Sequence, residues 1–185
     1  MKRICSLIVM LSMLVSGCRS SGIDPGLELR DQLTHSSGIS FLAEITADYG
    51  EYIHTFSLVC EADAAGNLSF KITAPDTIAN IEGNFTGSGG NLSFDEKILA
   101  FPLLADGQIS PISAPWLLMQ LLLGGYISYG GVDGDHYLIH IDDSFDGHNI
   151  GADIWLDSRN VPIHSDLIWD GKRFLTMKIS DFMCT

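Results

Sequence analysis

The residues with chemical potential are an acidic run, a pair of histidines and four cysteines. Asp142-x-Ser144-x-Asp146-Gly147, with Asp153 at the twelfth position, places oxygen atoms at alternate positions around a glycine, the spacing a calcium loop uses. Position twelve is Asp where a bidentate Glu is usual, Asn149 stands where an aliphatic is usual, and both flanks alternate like strands. The expectation is therefore a β-hairpin with a solvated acidic tip. His136 and His140 are four apart, a spacing that holds zinc on a helix. Their neighbours Tyr137, Leu138, Ile139 and Ile141 read as a strand, where the pair shares a face about 13 Å apart, too far for one ion. No Gly-x-Ser-x-Gly elbow occurs, and none of the many carboxylates is singled out as an acid or base. Neither a catalytic residue, a metal site nor a cofactor is expected.

Cys18 carries the clearest chemistry. Lys2 and Arg3 precede an apolar run, Ile4 to Val15, which is too short to span a bilayer as a stop-transfer helix. It ends in Leu14-Val15-Ser16-Gly17-Cys18, a pattern that resembles the lipobox of bacterial lipoproteins. Residues 1–17 are expected to be a signal peptide and Cys18 to carry the acyl chains, palmitate among them. Residues 18–28, rich in Ser, Gly, Asp and Pro, read as a lipidated tether, and 29–185 as one domain. Two acyl chains suffice for stable anchoring. The expected location is the extracytoplasmic side of a cell membrane or outer membrane, with the type of envelope left open. Of the other cysteines, Cys5 leaves with the signal. Cys60 and Cys184 either form a disulfide that closes a long loop or remain as a buried strand residue and a frayed terminal one.

Charge narrows the partners. The chain has 185 residues, 10 Lys and Arg against 23 Asp and Glu, and a net charge of -13. Removing Lys2 and Arg3 from that total leaves -15 on the rest. No Lys or Arg lies between Lys97 and Arg159, a stretch with eight aspartates, so nothing there neutralises phosphates and nucleic acid is excluded as a partner. Yet 46% of the residues are hydrophobic, enough for a folded core.

The elements that must position these residues are mostly strands. Leu27, Leu29 and Leu33 suggest a short helix. From Gly38 the period becomes two: Ile39, Phe41, Ala43 and Ile45, then Tyr52, His54, Phe56, Leu58 and Cys60, then Leu68, Phe70 and Ile72 up to Pro75. Strands are expected over Ile78–Thr86 and Asn91–Phe94. Pro115 and Ser113, as first-turn residue and cap, then open an apolar helix, Trp116–Leu123, closed by Gly124-Gly125. A helix apolar all round must be buried on more than one side. Strands resume over His136–Ile141, Ile150–Leu156, Val161–Trp169 and Arg173–Ile179, the last two joined by the hairpin signal Asp170-Gly171.

The C-terminal third carries a resemblance. Ala152-Asp153-Ile154-Trp155-Leu156-Asp157-Ser158-Arg159-Asn160-Val161-Pro162-Ile163-His164 is followed by Asp170-Gly171-Lys172 and by Thr176-Met177-Lys178-Ile179-Ser180-Asp181-Phe182. This resembles the last three strands of the LolA/LolB-like lipoprotein-carrier superfamily, which includes LppX-like lipoproteins. The anchor, the size and the Pro-flanked helix are also similar to clostridial germination lipoproteins of the GerS kind, which act through a protein partner. The resemblance implies an α+β, mainly β, fold: a strongly curved antiparallel sheet, an open half-barrel, with an apolar helix on the concave face. It implies acyl chains between helix and sheet, against Phe41, Phe56, Phe70, Trp116, Leu117, Met119, Gln120 and Leu121. An apolar helix over a sheet is equally what a plain core looks like. Two non-catalytic functions follow: binding of a hydrophobic ligand, lipid or acyl chain, in the cavity, or an adaptor that docks an envelope or spore cell-wall enzyme. The carriers of this family are soluble shuttles, whereas the lipobox expects an anchored chain, so a free shuttle is not expected.

Overall fold

The computed structural model describes residues 22–185 except 49–52, 88, 95–96, 102–103, 106–107 and 146. The expected signal peptide and Cys18 lie outside the described residues. The chain order is α1 (Asp24–His35), β1 (Gly38–Asp48), β2 (Ile53–Asp63), β3 (Leu68–Ala74), β4 (Glu82–Thr86), β5 (Gly89–Phe94) and β6 (Lys97–Phe101). The short β7 (Leu104–Ala105) and β8 (Gln108–Ile109) pair only with each other. A 3-10 turn (Pro111–Ser113) leads into α2 (Ala114–Gly124). Then follow β9 (Tyr126–Asp133), β10 (His136–Phe145), β11 (His148–Leu156), β12 (Pro162–Trp169) and β13 (Lys172–Cys184).

Alternation becomes a sheet with one buried face. In β1 every second residue from Ile39 to Ala47 is buried, and its register with β2 sets Phe41 opposite Cys60 and Ala43 opposite Leu58. Eleven strands form one antiparallel sheet in the order β6-β5-β4-β3-β2-β1-β13-β12-β11-β10-β9. Two meanders, one from each end of the chain, are thus joined where β1 pairs with β13. The sheet is an open half-barrel, α+β and mainly β, with both helices packed against the same core as its inner face.

Turn chemistry holds the ends of the strands. Asp170 and Gly171 both take positive φ, +46° and +77°, which is the two-residue hairpin expected between β12 and β13. At the β2–β3 turn the Asp63 carboxylate accepts from the backbone N–H groups of Ala65 and Asn67 and from the Asn67 side chain. Asp157 does the same for Arg159 and Val161 before β12.

Several expectations are corrected. Residues 78–81 form a turn, not the beginning of a strand; Asn80 takes φ +68° there, and β4 starts only at Glu82. The first helix begins at Asp24, inside the stretch expected to be tether, with Pro25 in its first turn and Gly26, Leu29 and Leu33 turned to the core. Ser113 does not cap α2: its hydroxyl donates to the Ser110 carbonyl within the 3-10 turn, at 2.7 Å. Of the two alternatives for the cysteines, the structure has the unbridged one: Cys60 and Cys184 are both free thiols, Cys60 buried and Cys184 exposed. They lie on β2 and β13, which flank β1 on opposite sides, and two strand spacings of about 4.8 Å exceed the reach of a disulfide.

Candidate functional site

The inner face is where the expected ligand residues meet. Helix α2 is held there by its own composition: Trp116, Leu117, Leu118, Met119, Leu121 and Leu122 are all buried. Its C-terminal carbonyls are tied to α1. Arg30 Nε donates to Leu122 O at 2.6 Å, and Nη2 to Gly125 O at 2.6 Å and Leu121 O at 3.3 Å. A cation at that end complements the helix dipole and adds donors at the C-terminal carbonyls, of which Leu121 O also accepts from the Gly125 backbone N–H at 2.9 Å.

All eight expected residues belong to this inner side, but they do not line one space. Phe41 stacks on Phe182 with ring centroids 5.6 Å apart. Phe70 stacks on Phe85 at 5.4 Å, Phe85 meets Trp116 at 6.4 Å, and Trp116 meets Phe145 edge-on at 6.1 Å. This aromatic file fills the space between helix and strands. Phe56 packs, partly buried, against the same core, and Met119 is fully enclosed. Trp116, Leu117, Gln120 and Leu121 line a recess of about 270 Å³ together with Phe145 and Ile150, with Asp143 at its rim. Gln120 spans out of it to the β2–β3 turn, where its Nε2 donates to Gly66 O at 2.9 Å. The Trp116 indole N–H is buried without a hydrogen-bond partner among the described residues. A larger depression, about 470 Å³, lies away from both helices, over Leu42, Glu44, Ser57, Thr73, Ile163 and Lys178. The Lys178–Glu44 ion pair, 2.8 Å, crosses it.

Sequence reasoning missed the polar network on the outer face of β9 to β13. Register places Tyr129, His140, Asp153, Asp166 and Thr176 in one row across five strands. His140 Nδ1 faces Asp153 Oδ1 at 2.6 Å and its Nε2 faces Asp142 Oδ1 at 3.0 Å. Two carboxylates facing the two ring nitrogens favour the imidazolium, in which both nitrogens donate. Burial pulls the His140 pKa down, and the bonds from Asp153 and Asp142 outweigh it, so the net direction is up. Ser128 Oγ donates to the other oxygen of Asp142 at 2.6 Å, which ties β9 into the network. Ser128 therefore bonds a carboxylate and not the imidazole. Asp166 is buried. Burial pushes its carboxyl up, but bonds from His164, Arg173 and Thr176 hold it down to about 2. The signal available in the sequence was the run of outward His and Asp at even spacing; their partners lie on other strands.

No family model and no curated protein matches the chain. Solved structures do resemble it. One is a LolA superfamily protein from Nitrosomonas europaea, at 9% identity and TM-score 0.44, covering 86% of this chain and 93% of that one. Another is the lipoprotein LppX of Mycobacterium tuberculosis, at 10% identity and TM-score 0.41, covering 89% and 96%. A third is the complex of the CwlD amidase from Clostridioides difficile with the GerS lipoprotein, at 12% identity and TM-score 0.42, covering 92% and 100%. The group that the C-terminal strand motif resembles is thus represented among the structural neighbours.

Proposed function

We propose that the chain is a lipid-anchored extracytoplasmic lipoprotein, acylated at Cys18, that works as a non-catalytic adaptor for a protein of the cell envelope, such as a cell-wall enzyme. The observation that carries this is the inner face, where Phe70, Phe85, Trp116 and Phe145 pack ring against ring in the place an acyl chain would occupy. A half-barrel filled by its own side chains offers a rigid outer surface. The carrier reading, with a lipid or acyl chain against Trp116, Leu117, Gln120 and Leu121, is favoured by the recess at that point. Its volume, about 270 Å³, falls below the roughly 300 Å³ at which small-molecule sites begin. Native mass spectrometry of the lipidated protein purified from membranes tests the choice. The adaptor reading expects no non-covalent lipid and a stoichiometric protein complex. A stoichiometric lipid with no protein bound reverses it.

A further inference from the structure

The edge of the sheet at β9 carries a single bulge and no charged side chain over residues 126–132. Among the described residues its outer side has no neighbouring strand, so alternate backbone N–H and C=O groups point away from the sheet. Natural edges are blunted by Lys, Pro, inward charges or β-bulges, and of these β9 has a bulge at Ser128. Residues 126–132 contain neither a charged residue nor a proline. A bulge at Ser128 breaks the register once, and from Tyr129 to Asp133 the strand pairs regularly with β10. Along this edge Tyr126 is 73% exposed, Tyr129 57% and Val132 78%.

Charge says what could lie there. From Tyr126 to Leu156 the chain has six aspartates and no Lys, Arg or Glu, and His140, even when protonated, offsets only one of them. Asp133 is on the edge strand and Asp142 stands opposite Tyr126 on β10. Exposed tyrosine rings and carboxylates both attract cations. A second copy paired edge to edge would bring one such acidic face against another, which like charge disfavours. The opposite edge, β6, also exposes Ile98 and Leu99 but begins with Lys97, so a cationic segment distinguishes the two.

We propose that β9 receives an extended, Arg- or Lys-rich segment of a partner protein as a further strand of the sheet. Main-chain bonds along the edge would give affinity, and Tyr126, Tyr129 and Val132 the contacts to alternate side chains. The proposal rests on the adaptor reading.

The test uses the full chain in neutral detergent and a capped nine-residue peptide of alternating Arg and Val, with an alternating Glu and Val peptide as control. Binding of the Arg peptide is expected, weakened by salt, with slowed amide hydrogen exchange confined to residues 126–133. The pair Tyr129→Lys and Val132→Lys, both at exposed positions, should weaken it at least tenfold, while Ile98→Lys on the opposite edge leaves it unchanged. Protection elsewhere, or affinity indifferent to the double substitution, overturns the proposal. So does self-association that the double substitution abolishes, which would assign the edge to a second copy. A native envelope complex that survives the double substitution also overturns it and leaves the adaptor reading standing. Peptide bound at 126–133 with no envelope complex found would support the edge and sink the adaptor reading.

Discussion

Asp166 shows how much one buried carboxylate can depend on its neighbours. It accepts from Arg173 Nη1 at 2.9 Å, Thr176 Oγ1 at 3.0 Å and His164 Nε2 at 3.2 Å. Its folded pKa of about 2 lies below the ordinary 3.8. A depressed acid contributes stability that is present above about 4 and lost as pH falls toward 2. Asp166→Asn should therefore cost about 2 kcal/mol in urea unfolding at pH 7 and almost nothing near pH 2. An equal cost at both values would remove the electrostatic account. His140 has the opposite sign. Its pKa is raised, so its contribution is full below the ordinary value of 6.5 and fades as pH rises through the folded one. Titration of the His140 ring by NMR should show a midpoint above 6.5, moving down in Asp153→Asn. A midpoint that ignores Asp153 would mean that the 2.6 Å contact does not govern it.

Among the elements, the contact between the two helices is the most exposed to a single change. Arg30 caps α2 from α1, with three carbonyls on one guanidinium. Arg30→Met keeps the stem and removes the fork; a loss of about 1–2 kcal/mol in chemical denaturation is expected, with Arg30→Lys intermediate. No loss would mean that water satisfies those carbonyls equally well. The elements also show what was legible beforehand. β1, β2 and β3 were written in clean alternation, and α2 in its apolar run between Pro115 and Gly124. β9 was not read, because the extra residue at Ser128 shifts the period by one and Gly130-Gly131 removes side chains from the pattern. Alternation put Phe41, Phe56 and Phe70 on one face of the sheet, and the apolar run put Trp116, Leu117, Met119, Gln120 and Leu121 on the helix that covers it. Whether that face is hollow depends on how Phe85 and Phe145, from distant strands, close around Trp116, and no local pattern encodes that volume.

For the whole molecule, the acidity and the grease have separate places. Apolar side chains occupy one face of an eleven-stranded sheet and the two helices that cover it, while aspartates gather on the opposite face and at the turns. No helix among the described residues is long and apolar enough to cross a membrane. Removal of residues 172–185 should abolish cooperative thermal unfolding followed by circular dichroism. A sharp transition in that truncated chain would show that the halves stand alone. The reason is the central seam, where Ile39 lies opposite Cys184 and Ala47 opposite Leu175. Joining these strands brings together residues far apart in sequence, and such closures are slow to form. During synthesis the inner strand of the first meander waits, unpaired on one side, for the last segment of the chain to emerge. A polypeptide whose central seam joins its first strand to its last cannot complete its sheet until the whole chain has been made, so the seam closes after the two flanking meanders.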